Sequence, residues 1–366
     1  MNEFFNYIPE IDPLPIPAPW WLLKFLLLLT FVLHIIPMNI MLGGLIMAGV
    51  SYFRGGQFHE QLTRKLTKII PTVTALAITM GIAPLLFVQT LFGQYFYSAS
   101  IIMAYPWLSV IILIMIGYYL SYINSFRFEK LNSGTRALVG WLGALCFIIV
   151  GFMYSNVMSL MLTPERWGPI YFADASGWNL NLAEPTLFPR YLHFLNGALA
   201  VVSCFIVFLG AFEKRDSDFR KKAISYGAKM FLIFTFAQYL LGTLWLITMP
   251  LDKALLFMGR HIPGTILFAI GLILPLGIIM MLGRAGRRDN PRGLVIGSGV
   301  TLLIVLIIMA IMRDILRHAY LQPQLQLSDM PSFFQASTVI PFAVLLVIGL
   351  GVVYWASRKF FVEAEA

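Results

Sequence analysis

Nine stretches of this 366-residue chain are each long and apolar enough to cross a bilayer. They cover about 20–50, 69–95, 101–124, 137–162, 190–212, 224–249, 263–283, 294–313 and 336–357. A hydrocarbon core of about 30 Å takes roughly 20 residues of α-helix. The runs are continuous and do not alternate, which argues against the strands of a membrane barrel. In lipid a backbone must bond its own N–H and C=O groups, so helices remain. The expected fold is all-α: a polytopic membrane helical bundle of nine transmembrane helices, one membrane domain over 1–366. The chain is 59% hydrophobic and 12% charged. Soluble domains run at about 45–50% and about 25%. A soluble enzyme and a nucleic-acid binder are disfavoured, and disorder needs the opposite composition.

The net charge of +9 is not spread along the chain. The loops after runs one, three, five and seven, with the C-terminus, hold nineteen of the 26 Lys and Arg, from Arg54 and Arg64 through Arg127, Lys221 and Arg288 to Arg358 and Lys359. The positive-inside rule makes those loops cytoplasmic. The N-terminus is then outside and the C-terminus inside, as an odd number of spans requires. No nucleic-acid partner is expected. The acidic, Pro-rich start lacks the basic n-region of a signal peptide. The longest connection, about 163–189, falls outside and carries Trp167, Trp178, Glu165 and Glu184, a mixture expected to be ordered. Cys146 and Cys204 lie in apolar runs and form no CxxC, so no disulfide framework follows, and no CxxCH is present to attach a c-type haem.

Four of the five His fall on the outer half. His34 lies inside the first run, His193 in the first turns of the fifth, His261 just before the seventh and His318 just after the eighth; His59 reads as a solvated loop residue. An ionisable residue inside a span is a functional candidate. In Arg190-Tyr-Leu-His193-Phe-Leu-Asn-Gly197, the glycine is one turn along on the same face. A flat macrocycle on His193 would need that small neighbour. Imidazole is a common axial ligand of haem iron. Zinc fits less well, since no two of these His are spaced i, i+4 and no acid stands beside them in a span.

Three stretches together resemble subunit I of the cytochrome bd family of quinol oxidases. The first is Leu33-His34-Ile-Ile-Pro37-Met-Asn-Ile-Met-Leu-Gly43. The second is Gly81-Ile-Ala-Pro84-Leu-Leu-Phe-Val-Gln89-Thr-Leu-Phe92-Gly93-Gln94. The third runs from Tyr154-Ser-Asn156-Val-Met158 through Thr163-Pro164 to Arg190 and His193. The resemblance covers about 19–215 and is faint over 216–366. It implies that His34 and His193 ligate haem. Gln89 stands where the family has a membrane-embedded Glu, and an amide cannot take up or release a proton there. The family's Gly-Arg-Gln-Pro-Trp signature is absent. Its long quinol-handling loop is reduced to about 250–262. Its Met ligand opposite the second His is not matched; His261 is the first candidate for that place, with His318, Met309 and Met312 competing, near Met258 and Arg260.

The resemblance implies a subunit carrying one or two haem b groups in a bacterial inner membrane. It would oxidise menaquinol or ubiquinol and pass electrons to a periplasmic c-type cytochrome, with other membrane subunits beside it. Asp314 and Glu165 are the first candidate proton acceptors, with Glu184 and Asp252. Arg190, Arg260, Arg313 and Arg317 are candidates to hold haem propionates or a quinone oxygen through charge-assisted bonds. A terminal quinol:O2 oxidase, a cofactor-free transporter and a structural anchor are the alternatives.

Overall fold

The computed structural model describes residues 8, 9, 14–322 and 324–363, with side chains as far as Trp355. Much of the acidic N-terminal stretch, and the side chains of Arg358 and Lys359, lie outside the described residues. In chain order the helices are α1 (Trp20–Arg54), α2 (Gln57–Ile102), α3 (Ala104–Phe126), α4 (Ser133–Met161), α5 (Trp167–Ala173), α6 (Leu187–Ala211), α7 (Ser217–Thr248), α8 (Leu251–Ala254), α9 (Ile262–Ala285), α10 (Arg292–Leu321) and α11 (Ala336–Glu363). Among the described residues nine of these are long and apolar enough to span; α5 and α8 are short pieces in the connections. The bundle is all-α, as its apolar runs require. The single β-bridge found among the described residues joins Ile16 to Ser332, tying the chain before α1 to the chain before α11.

Several helices outlast their apolar runs. α2 has 46 residues, about 69 Å at 1.5 Å per residue, far more than a bilayer needs. Its first turns carry Arg64, Lys65 and Lys68 and stand beyond the apolar stretch. The helix is broken at Phe92 (φ −135°, ψ 29°), whose ring is buried. α10 continues to Leu321, so His318 lies within a helix and not after it. Hydropathy stops at Arg313, but the helical repeat does not: Asp314, Arg317 and Leu321 are all buried. His59 also departs from its expected place. It is half-buried in the first turn of α2, with Nδ1 3.3 Å from Ser51 Oγ and its ring against Tyr226.

α6 is the most enclosed span, and α1 packs against α2, α4, α6 and α10. Between helices in lipid the driving forces are close packing and interhelical hydrogen bonds, because the lipid is as apolar as the side chains. Gly43 shows the packing: a Cβ there would run into the Ala198 carbonyl oxygen and stand 2.8 Å from Val202 Cγ1, so the α1 and α6 backbones touch. At the basic end, Lys65 pairs with Glu213 at 2.6 Å and Gln61 donates to Asp216 at 3.0 Å, fixing α2 to the α6–α7 turn. At the opposite end the 163–189 connection is ordered. Asn181 donates its backbone N–H to Asn156 Oδ1 (3.0 Å) and its amide to Ser159 Oγ (3.1 Å), and Trp167 Nε1 donates to the Leu160 carbonyl (2.8 Å). α11 sits at the margin, with none of its apolar window buried.

Candidate functional site: a buried cationic cluster beside His193

Arg190 stands in the first turn of α6. Arg313 and Arg317 stand four residues apart near the end of α10, hence on one face. The fold brings all three to the lining of one narrow cavity, with Met158, Met161, Leu162, Trp245 and Leu316. Arg190 is 6% exposed, Arg317 7% and Asp314 5%. Asp314 accepts from Lys24 Nζ at 2.8 Å and lies 3.6 Å from Arg317 Nη1. Four cations thus meet one intimate anion.

Aromatic faces take part of the excess. Arg313 lies 4.5 Å over Phe31 and 5.9 Å over Phe194; Arg317 is 5.0 Å over Phe92; Arg190 is 5.9 Å over Trp245. Arg190 Nε, Arg313 Nε and Arg317 Nη1 remain buried without a hydrogen-bond partner. Buried charge is costly unless paired. An excess of guanidinium inside a membrane bundle leaves charged donors available to an anion or a carbonyl oxygen.

His193 adjoins the cluster. Its Nδ1 is buried without a partner, and its ring centroid is 5.6 Å from that of Trp245. A Cβ on Gly242 would stand 3.1 Å from His193 Cε1, a tight contact that the ring would have to ease. Gln238 donates to the His193 carbonyl at 3.1 Å and accepts from Asn196 Nδ2. The space where a Gly197 Cβ would stand lies 3.4 Å from Gln238 Nε2, so it admits α7.

His34 is fixed across α1 and α2. Its Nδ1 donates to the Ala77 carbonyl at 2.8 Å, which leaves Nε2 with the lone pair. A Cβ on Gly81 would come within 2.9 Å of the ring. Such a bond from one ring nitrogen to a carbonyl orients and enriches the other, as in metal-ligating His.

The remaining candidates lie elsewhere. His261 caps α9: its Nδ1 accepts from the Gly264 N–H at 3.1 Å, which engages one ring nitrogen. Arg260 is exposed and does not line the cavity, and Met258 is exposed as well. His318 is half-buried on α10, and Met309 packs with Ile35, Val201 and Leu306. Gln89 is half-buried on α2. Glu165 is exposed, and desolvation by its surroundings raises its carboxyl above the usual range. Asp252 is exposed beside Lys253 (2.9 Å), whose hydrogen bond holds its carboxyl below that range. Among the described residues no three His, Cys, Asp or Glu converge as a metal cluster, and both cysteines are free.

The donor set fits a haem better than a bare ion. One imidazole nitrogen is free at His193 and one at His34, and guanidinium nitrogens without a hydrogen-bond partner line the cavity that His193 meets through Trp245. Gln238, Gly242 and Trp245 were not singled out in the sequence. Their 238, 242, 245 spacing puts them on one face of α7, and that periodicity is the signal that could have found them.

A scan against family models gives no match, and a search of curated proteins gives none either. Among solved structures, the chain is similar to a chain of the bd oxidase from Geobacillus thermodenitrificans. The identity is 13%, the TM-score 0.73, and the match covers 96% of this chain and 99% of that one. At that identity the likeness establishes the fold: a multi-pass membrane bundle of the bd oxidase type.

Proposed function

We propose that this chain is a haem b-containing membrane subunit of a respiratory electron-transfer complex. It oxidises quinol and passes the electrons outward to a periplasmic c-type cytochrome. The observation that carries the reading is His193, whose Nδ1 is buried without a partner and whose ring packs on Trp245, the residue that also meets Arg190 and lines the arginine cavity. His193 and His34 would hold iron, Arg313 and Arg317 would hold propionates, and Arg190 a propionate or a quinone oxygen. Bound haem supplies a one-electron acceptor and donor. The chain's own residues orient it and exclude water: the Ala77 carbonyl sets the His34 ring, and Gln238 and Trp245 frame His193. The basic end faces the cytoplasm by the positive-inside rule, which puts the cluster on the outer side of a bacterial inner membrane.

The fold likeness to an oxidase favours a second reading, a terminal quinol:O2 oxidase. Gln89 weighs against it, since an amide supplies no proton. The test is anaerobic addition of a quinol to the purified complex, followed by oxygen. Quinol-driven appearance of a b-type spectrum, passage of the electrons to an added c-type acceptor and no oxygen consumption support the first reading. Sustained oxygen consumption by the complex alone supports the second. No reduction of any haem by quinol overturns both.

A further inference from the structure

We infer that the quinol headgroup binds in the cleft between the 163–189 connection, Trp245 and Tyr320, and that Glu184 is the group that accepts its protons. The inference rests on the quinol-oxidising reading above and names its site. The cleft adjoins the arginine cavity and shares Arg190, Trp245, Leu162 and Leu316 with it. It is a narrow cleft that opens at its mouth, lined by Glu184, Thr186, Arg190, Trp245 and Tyr320. Its chemistry is mixed in the way a quinol requires. Arg190 is 6% exposed, and its Nε is buried without a partner, so a donor is available to a quinone oxygen. Glu184 supplies the acceptor. Its Oε1 takes the Thr186 hydroxyl at 2.8 Å, while Oε2 has only a long pairing with Arg166 at 3.8 Å. Trp245 gives an aromatic wall. A lipid phosphate would suit Arg190, but Glu184 in the same wall would repel it.

The competing carboxylates are placed worse. Asp314 is engaged by Lys24 and Arg317. Glu165 and Asp252 are exposed and do not line the cleft. Position favours the cleft too: Trp245 touches both it and the His193 ring. Oxidation of a quinol there breaks two O–H bonds. The two electrons leave one at a time to an acceptor of the ferric haem class. The two protons pass in turn to Glu184 and on to the outer water.

Three measurements on the full-length protein test this. First, binding of menadiol and menadione is titrated by tryptophan fluorescence quenching in wild type and Glu184→Gln, which needs no haem. Glu184→Gln is expected to weaken menadiol about tenfold, as loss of a charged hydrogen-bond acceptor does, and to change menadione less than about threefold. Second, quinol-driven reduction is expected to slow at least about tenfold with the absorbance spectrum unchanged. Third, in wild type, an azido-naphthoquinone is expected on illumination to label peptides from 159–163, 184–190 or 316–320 or the one that carries Trp245, a result independent of any variant's folding. Wild-type menadiol affinity in Glu184→Gln, the same loss in Glu165→Gln or Asp314→Asn instead, or labelling confined elsewhere overturns the site. A protein without haem that still binds menadiol through Glu184 overturns the electron-transfer reading and leaves the site standing.

Discussion

His34 and Ala77 are joined across two helices: the imidazole Nδ1 donates to the carbonyl at 2.8 Å, with the ring pressed on the backbone at Gly81. One ring nitrogen is thereby committed and the other is aimed. Gly81→Ala would place a methyl within 2.9 Å of the ring, so the ring must turn or α1 must move. The expected cost is about 1–3 kcal/mol of stability, as for other overpacked sites. If His34 holds haem, the variant also shifts the position of one b-type absorbance band. Melting and difference spectra of Gly81→Ala check both, and an unchanged melt would mean that the contact is slack.

Asp314 is the anion on which the cationic cluster depends. Removing one partner of a buried ion pair leaves the others uncompensated and costs about 3–5 kcal/mol. Asp314→Asn is expected to fall in that range. Adding Lys24→Met should restore part of the loss, since the 2.8 Å partner is then gone too. A double-mutant cycle by thermal unfolding in detergent reads the coupling. Simple additivity would show that the two residues do not act on each other.

The basic end carries a pH-sensitive clasp. Burial raises the Glu213 carboxyl, but the Lys65 hydrogen bond and the amides of Arg215 and Asp216 outweigh it, and the net shift is downward. A depressed carboxyl stabilises above its unfolded value, about 4.3, and the gain is lost as pH falls through the folded value. With Lys65 partly exposed, the pair is worth about 0.5–1 kcal/mol. Glu213→Gln should therefore melt lower than wild type at pH 6 and converge with it near pH 3. A constant gap across that range would contradict the assignment.

Gly43 tests how α1 meets α6. Any Cβ there strikes the Ala198 carbonyl, a backbone atom that cannot swing aside. Gly43→Ala is expected to destabilise by about 1–3 kcal/mol, and Gly43→Leu to prevent assembly. Yield and monodispersity by size-exclusion chromatography, with melting of whatever survives, give the readout.

The number of spans was legible because lipid leaves the backbone few options, and the nine apolar runs correspond to nine long helices among the described residues. Helix ends were not, because a helix outlasts its apolar run wherever charged side chains find partners. α10 carries Arg313, Asp314, Arg317 and His318 for that reason. The arginines could be named one by one, but their convergence joins residues 190, 313 and 317, and no local pattern encodes it. His261 read as a ligand candidate from its depth, whereas its Nδ1 serves as a helix cap, a role that depends on backbone geometry at Gly264. Gly197 was matched to a flat ligand from its i+4 position, and no local pattern tells that Gln238 of α7 stands 3.4 Å from where its Cβ would be.

The central claim is that His193 and the arginines around it hold a b-type haem. The most direct measurement is a reduced-minus-oxidised absorbance spectrum with a pyridine haemochrome count, on wild type and His193→Ala. The account predicts a b-type signal in wild type and the loss of one haem equivalent in the variant, with the protein still folded. No haem in gently purified, haem-supplemented wild type, or an undiminished count in His193→Ala, would contradict it.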